Sequence, residues 1–140
     1  MKTLITPSLI KFTSTAVILT ILFRLALSTS ITNEMVVFVI FSSLTYGILM
    51  WFSGHYFGKK EYENIPIYDI GFRFHLSTFI AHNSISVLWF TLGFQSHYES
   101  IKIVYLIASI WSLSLMIHFF YFLSSRKESI KNLNKEDLFE

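Results

Sequence analysis

GFRFHLSTFIAHNSISVLWFTLGF (71–94), QSHYES (95–100) and IKIVYLIASIWSLSLMIHFFYFL (101–123) are consecutive, and their reading decides the fold. Two long apolar segments flank a short polar turn. Segments this long and this poor in Asp, Glu, Lys and Arg can satisfy their backbone groups inside lipid only as helices. The stretch therefore reads as a helical hairpin in a membrane. Its few polar side chains, His75, His82, Asn83 and His118, fall on the half of each helix nearest the open end of the hairpin.

The hairpin also carries a pattern. Phe72, His75, Leu76, Phe79 and Asn83 follow the order F-x-x-H-L-x-x-aromatic-x-x-x-N, and Trp111 is followed seven residues later by His118 and then by Phe119 and Phe120. In both features residues 70–123 resemble the bacterial 2TM domain, a two-helix membrane module known mainly as a part attached to signalling domains. The resemblance implies a membrane role and little about activity. No signalling domain accompanies the pattern, which argues against a kinase or a transcription regulator.

The chain has 140 residues, 53% hydrophobic and 18% aromatic, enough for one membrane domain over 1–140 and odd for a soluble protein. With no cysteine there is no disulfide, thiolate metal site, cysteine nucleophile or iron–sulfur cluster. A net charge of +2, with the basic residues clustered beside apolar runs, excludes nucleic acid as a partner.

Upstream, the apolar run 12–23 extends across Arg24 to residue 27. It spans if Lys11 and Arg24, about 20 Å apart along a helix, snorkel to opposite interfaces. The alternative is a signal peptide with Ala26 and Ser28 before the cleavage point, against which Arg24 argues. Residues 35–58 form the clearest span, with no charge. Ser43, Gly47, Gly54 and Gly58 recur there at spacings of four, seven and four, a stripe of small residues for close helix packing. Residues 59–73 are the sizeable polar connection. Asn64, Ile65 and Pro66 predict a turn or helix start, and Asp69 and Arg73 are spaced to pair. A short polar tail, 125–140, follows the last span.

The expected fold is thus an all-α integral membrane four-helix bundle, two transmembrane hairpins with spans near 9–28, 35–58, 72–95 and 103–124. Lys2, Lys11, Lys59, Lys60, Arg73, Arg126, Lys127, Lys131 and Lys135 all fall on one side of it, against Arg24 and Lys102 on the other. By the positive-inside rule both termini are cytoplasmic, in a bacterial cytoplasmic (inner) membrane.

Depth then singles out the histidines. Counted inward from Arg73 and Arg126, His82 and His118 should lie level with each other on adjacent helices, each on the order of 12 Å below the cytoplasmic boundary. His75 and His55 should lie nearer that boundary. Three readings follow. The histidines with Asn83, Ser86 and Ser114 form a polar intramembrane network that gives the bundle specificity. Alternatively His82 and His118 bind a cofactor, as the axial pair of a haem b or, with His55 and His75, as ligands of a transition metal. In the third, protonation between pH 6 and 7 changes the packing. Enzyme chemistry lacks support: there is no Ser-His-Asp set that spacing can assemble, no phosphate loop and no HExxH. The sequence therefore predicts a non-enzymatic sensing or interaction module with a histidine cluster. Its alternatives are a haem- or metal-binding membrane protein and an oligomeric ion channel or transporter. The expected partners are membrane lipid and a second copy or another membrane protein.

Overall fold

The computed structural model describes the backbone of residues 5–61 and 67–131 and the side chains of residues 5–61 and 70–124. Among these the chain forms four α-helices and no strand: α1 (Pro7–Thr32), α2 (Val36–Glu61), α3 (Ile67–Thr91) and α4 (Ile101–Lys131). The turn expected at Asn64, Ile65 and Pro66, the Asp69–Arg73 pair and the side chains of the 125–140 tail lie outside the described residues.

Local chemistry sets the helix ends. Thr6 caps α1 by accepting the Leu9 N–H at 3.2 Å, and Pro7 starts the helix where a missing N–H costs nothing. The other end closes with a six-residue hydrogen-bonded turn and a four-residue one nested within it, Met35 N–H to the Ser30 carbonyl at 2.9 Å and Glu34 N–H to the Ile31 carbonyl at 3.1 Å. Glu34 takes the left-handed position, φ 56°, that this closure requires. The chain reverses within residues 33–35, so α2 returns directly along α1.

At about 1.5 Å per residue every helix exceeds the roughly 30 Å hydrocarbon core. α1, α2 and the first 24 residues of α4 are also apolar enough to cross a membrane. α3, the expected third span, differs from the other three in composition, because it concentrates Arg73, His75, His82, Asn83 and several hydroxyls in one helix. Apolar side chains cover the outside of α2 and α4, among them Val37, Phe41, Trp51, Leu106, Ile110 and Ile117, all more than half exposed. Water would penalise such a surface and lipid does not, and with three apolar helices it makes the chain a membrane protein.

The helices pack as a bundle left open on one side. α1 is central, against both α2 and α3, while α3 packs on α1 and α4 and more lightly on α2. Among the described residues α4 rests on α3 alone. The buried face of α1 is a strict four-residue series, Phe12, Ala16, Thr20, Arg24 and Ser28. That spacing keeps side chains on one slowly turning stripe, and its small members let neighbouring backbones approach. The stripe expected on α2 is engaged over its second half only. A Cβ at Gly54 would meet Phe12 at 3.9 Å and one at Gly58 would meet Ile70 at 3.7 Å, whereas Gly47 has nothing within 4 Å and Ser43 is exposed. An apolar core of Phe12, Ile70 and Phe74, flanked by Leu9, Met50 and Phe57, closes the end of the bundle where α1 and α3 begin. Glu61, expected in a solvated loop, is 3% exposed at the end of α2.

Candidate functional site

The register between α3 and α4 decides which polar side chains meet, and Gly93 sets that register. α3 ends at Thr91, and Gly93 adopts φ 77°, placing its N–H on the Phe90 carbonyl at 3.2 Å and that of Phe94 on the Trp89 carbonyl at 3.0 Å. Phe94 then packs on Trp89, ring centroids 5.3 Å apart, the hydrophobic contact that accompanies this helix stop. The expected span ran on to residue 95. Ending a turn earlier moves α4 along α3, so that Phe72 meets Phe119 and Phe122, His75 meets His118, and Phe79 and His82 meet Trp111.

His118 therefore pairs with His75 and not with His82. The two Nδ1 atoms lie 2.9 Å apart, and the Trp111 indole N–H donates to His75 Nε2. Since indole nitrogen can only donate, His75 Nε2 must be the unprotonated nitrogen. Neutral His75 then carries its proton on Nδ1 and gives it to His118 Nδ1, which leaves the proton of His118 on Nε2. The relay Trp111 to His75 to His118 is complete with both imidazoles neutral. A further proton on either ring opposes two donors, either at Trp111 or between the rings.

His82, seven residues and about 10 Å farther along α3, belongs to a second wire. Thr20 donates its hydroxyl to the Ala16 carbonyl at 2.7 Å and so can only accept from Tyr46, 3.0 Å away. Tyr46, having donated to Thr20, accepts from His82 Nδ1 at 3.1 Å. This direction fixes the proton on Nδ1 and leaves Nε2 of neutral His82 an acceptor with no partner among the described residues. Stacking of Phe23 on Tyr46, with centroids 4.5 Å and planes 18° apart, holds the phenol in place.

Glu99, in the segment joining α3 to α4, lies over Arg24. Their charged atoms are 2.6 Å apart with both side chains 6% exposed. The second Glu99 oxygen accepts the Ser96 N–H at 3.1 Å. The guanidinium also lies over Phe90 at 5.4 Å and Trp89 at 6.0 Å, and Trp89 donates to Ser28 on α1 at 2.9 Å. Arg24 Nε is enclosed without a hydrogen-bond partner. These residues cap a cavity of about 480 Å³ that runs from the Tyr98–Ser100 segment to His82 and Trp111. All four helices line it, and its walls are mainly apolar. Among the described residues its α4 wall packs against neither α1 nor α2, so the cavity is not closed by helix packing on that side.

The remaining expected residues scatter. His55 stacks on Trp51, planes 16° apart, on the exposed face of α2, away from the other histidines. Among the described residues no three His, Asp or Glu side chains approach closely enough to share a metal ion, so the set His55, His75, His82 and His118 is not assembled. Trp111 packs against both His82 and His75, at 5.5 and 6.0 Å, and occupies the space that an axial His82–His118 pair would need. Asn83 donates to the Phe79 carbonyl of its own helix at 2.8 Å and lines the cavity with the buried Ser86. Ser114 is exposed on α4. No protein-family model, curated protein or solved structure matches the chain.

Proposed function

We propose that the chain is a multi-pass protein of a bacterial cytoplasmic membrane, with both termini cytoplasmic, acting as a non-enzymatic sensing module whose output is the position of α4. In this reading α3 is the fourth span, its polar side screened from lipid by α1, α2 and α4. The clustering of basic residues at the ends where α1 begins and α2 ends supports the orientation. Six of the residues on which the resemblance to the 2TM module rests, Phe72, His75, Phe79, Trp111, His118 and Phe119, meet between α3 and α4, which supports including the module in this reading.

One observation carries the sensing role: among the described residues α4 packs on α3 alone, and the polar fastening of that contact is the neutral Trp111–His75–His118 relay. Among the described residues, His118 is the titratable group facing His75 from a neighbouring helix. Imidazoles change charge between about pH 5 and 8. The relay is whole at the upper end of that range and loses a bond when either ring takes a proton, so acidification loosens α4.

The natural absence of cysteine permits a clean test. Spin labels at Ile18→Cys on α1 and Ile110→Cys on α4, both on lipid-facing positions, report the separation of the two helices in nanodiscs. A narrow distance distribution at pH 8 should broaden or shift by several ångströms at pH 5 (order of one side-chain layer), and His75→Phe/His118→Phe should abolish the response. A wild-type distribution unchanged over this range, or a response that persists in the double variant, removes the relay from the mechanism.

A further inference from the structure

Apart from the histidine relay, the cavity between α1 and α4 has the features of a ligand site, and its chemistry specifies a class. Its volume of about 480 Å³ lies in the range of small-molecule pockets. Its α4 wall packs against neither α1 nor α2 among the described residues, and these helices span the bilayer in the reading above, so the route in is through lipid and the ligand must be lipid-soluble.

The polar groups narrow the class further. Arg24 is 5% exposed, and its Nε–H has no partner. Its charge is already matched by Glu99, so an anionic head group would bring a second negative charge beside a buried carboxylate, and a cation would oppose the guanidinium. A neutral acceptor such as a carbonyl meets neither objection. At the other end of the cavity the wire from Ala16 through Thr20 and Tyr46 leaves His82 Nε2 an acceptor, suited to a hydroxyl. Between these poles the lining includes Phe23, Phe90 and Trp111, side chains that favour a flat ring.

We propose that this cleft binds a membrane-soluble ring compound bearing carbonyl or hydroxyl oxygens at opposite edges and an apolar tail, the chemistry of a quinone or its quinol. The Arg24 side takes the carbonyl, His82 takes the hydroxyl of the reduced form, and the tail leaves between α1 and α4. The inference rests on the membrane reading of the previous section and is independent of the histidine relay.

The test uses the full chain in phosphatidylcholine nanodiscs and decylubiquinone as the probe, read by quenching of tryptophan fluorescence, since Trp111 lines the cavity. Wild-type protein should show saturable quenching. Val104→Phe narrows the cavity from α4, where among the described residues only α3 packs, and should weaken binding of the probe about tenfold or more, equivalent to roughly 1.4 kcal/mol. His82→Phe keeps a ring while removing the nitrogen that accepts a hydroxyl, so it should leave the oxidised probe bound and weaken competition by the reduced form, decylubiquinol, about tenfold. Arg24→Gln/Glu99→Gln removes both charges together and should weaken binding of the oxidised probe. Unsaturable quenching, or equal quenching in wild type and Val104→Phe, means partition into the bilayer alone and overturns the proposal. Displacement of the probe by oleate at equal concentration overturns the ring assignment in favour of a general acyl-chain groove. The spin-label distance measured on the same nanodiscs reports the relay separately, and failure of the chain to enter nanodiscs as a helical protein would count against the membrane reading itself.

Discussion

Removing Arg24 alone should be far more damaging than removing Arg24 and Glu99 together. The pair joins α1 to the α3–α4 connection across 75 residues, with charged atoms 2.6 Å apart and both side chains 6% exposed. In Arg24→Met the carboxylate of Glu99 stays in place with the Ser96 N–H as its described donor, and an uncompensated buried charge costs about 3–5 kcal/mol. Glu99→Gln should cost less, about 2 kcal/mol, because the guanidinium keeps the faces of Phe90 and Trp89. In the double variant neither charge remains to be desolvated, so the loss should fall to about 1 kcal/mol. The coupling within the cycle is then about 4–6 kcal/mol, well above the 0.5 kcal/mol or so expected of independent sites. Unfolding in mixed micelles of increasing dodecyl sulfate fraction, followed by helical ellipticity for wild type, both single variants and the double, measures all four corners. Single variants that each cost below about 1 kcal/mol and add in the double would show a hydrated surface pair, and the burial argument would be wrong.

Two further substitutions probe separate links. Tyr46→Phe keeps the stack on Phe23 but loses the bonds to Thr20 and His82; at about 0.6 kcal/mol for a typical interhelical bond in a membrane, it should destabilise by roughly 1–2 kcal/mol in the same assay, and no measurable loss would argue against the wire. Gly93→Ala has open space around the new methyl, so its cost is the left-handed backbone alone, about 1 kcal/mol; a loss above about 3 kcal/mol would show that the turn is packed and not merely strained.

Helix number and approximate bounds were legible because apolar runs between polar breaks dictate them, and so was the choice of His75, His82 and His118 as the residues to watch. Their pairing was not. It depends on where α3 stops, and the signal was Gly93 before Phe94, a glycine helix stop that ends α3 four residues short of the expected span. That four-residue shift, together with the start of α4 at Ile101 two residues before the expected span, accounts for most of the seven-residue exchange of a His82–His118 pair for His75–His118. Arg24 was read as an interfacial cation because its local sequence fits one; its partner Glu99 is 75 residues away, and only the folded connection brings them together. The four-residue series on α1 was visible in principle from Ala16, Thr20 and Ser28, but the glycines of α2 give a stronger local signal and drew the packing stripe to the wrong helix over half its length.

The polar character of α3 has a consequence for how the protein is made. A ribosome delivers α1 and α2 to the bilayer first, and each is apolar enough to stay there unaided. α3 follows with an arginine, two histidines and an asparagine, residues that partition poorly as a lone segment. What it meets on arrival is the face formed by α1 and α2, where Tyr46, already bonded to Thr20, waits for His82 and Ser28 waits for Trp89. Insertion of the third helix is thereby tied to the first two being already paired, and α4, held by α3 alone, can be seated only after that. The order of synthesis and the order of packing are the same, which makes each helix the receptor for a later one.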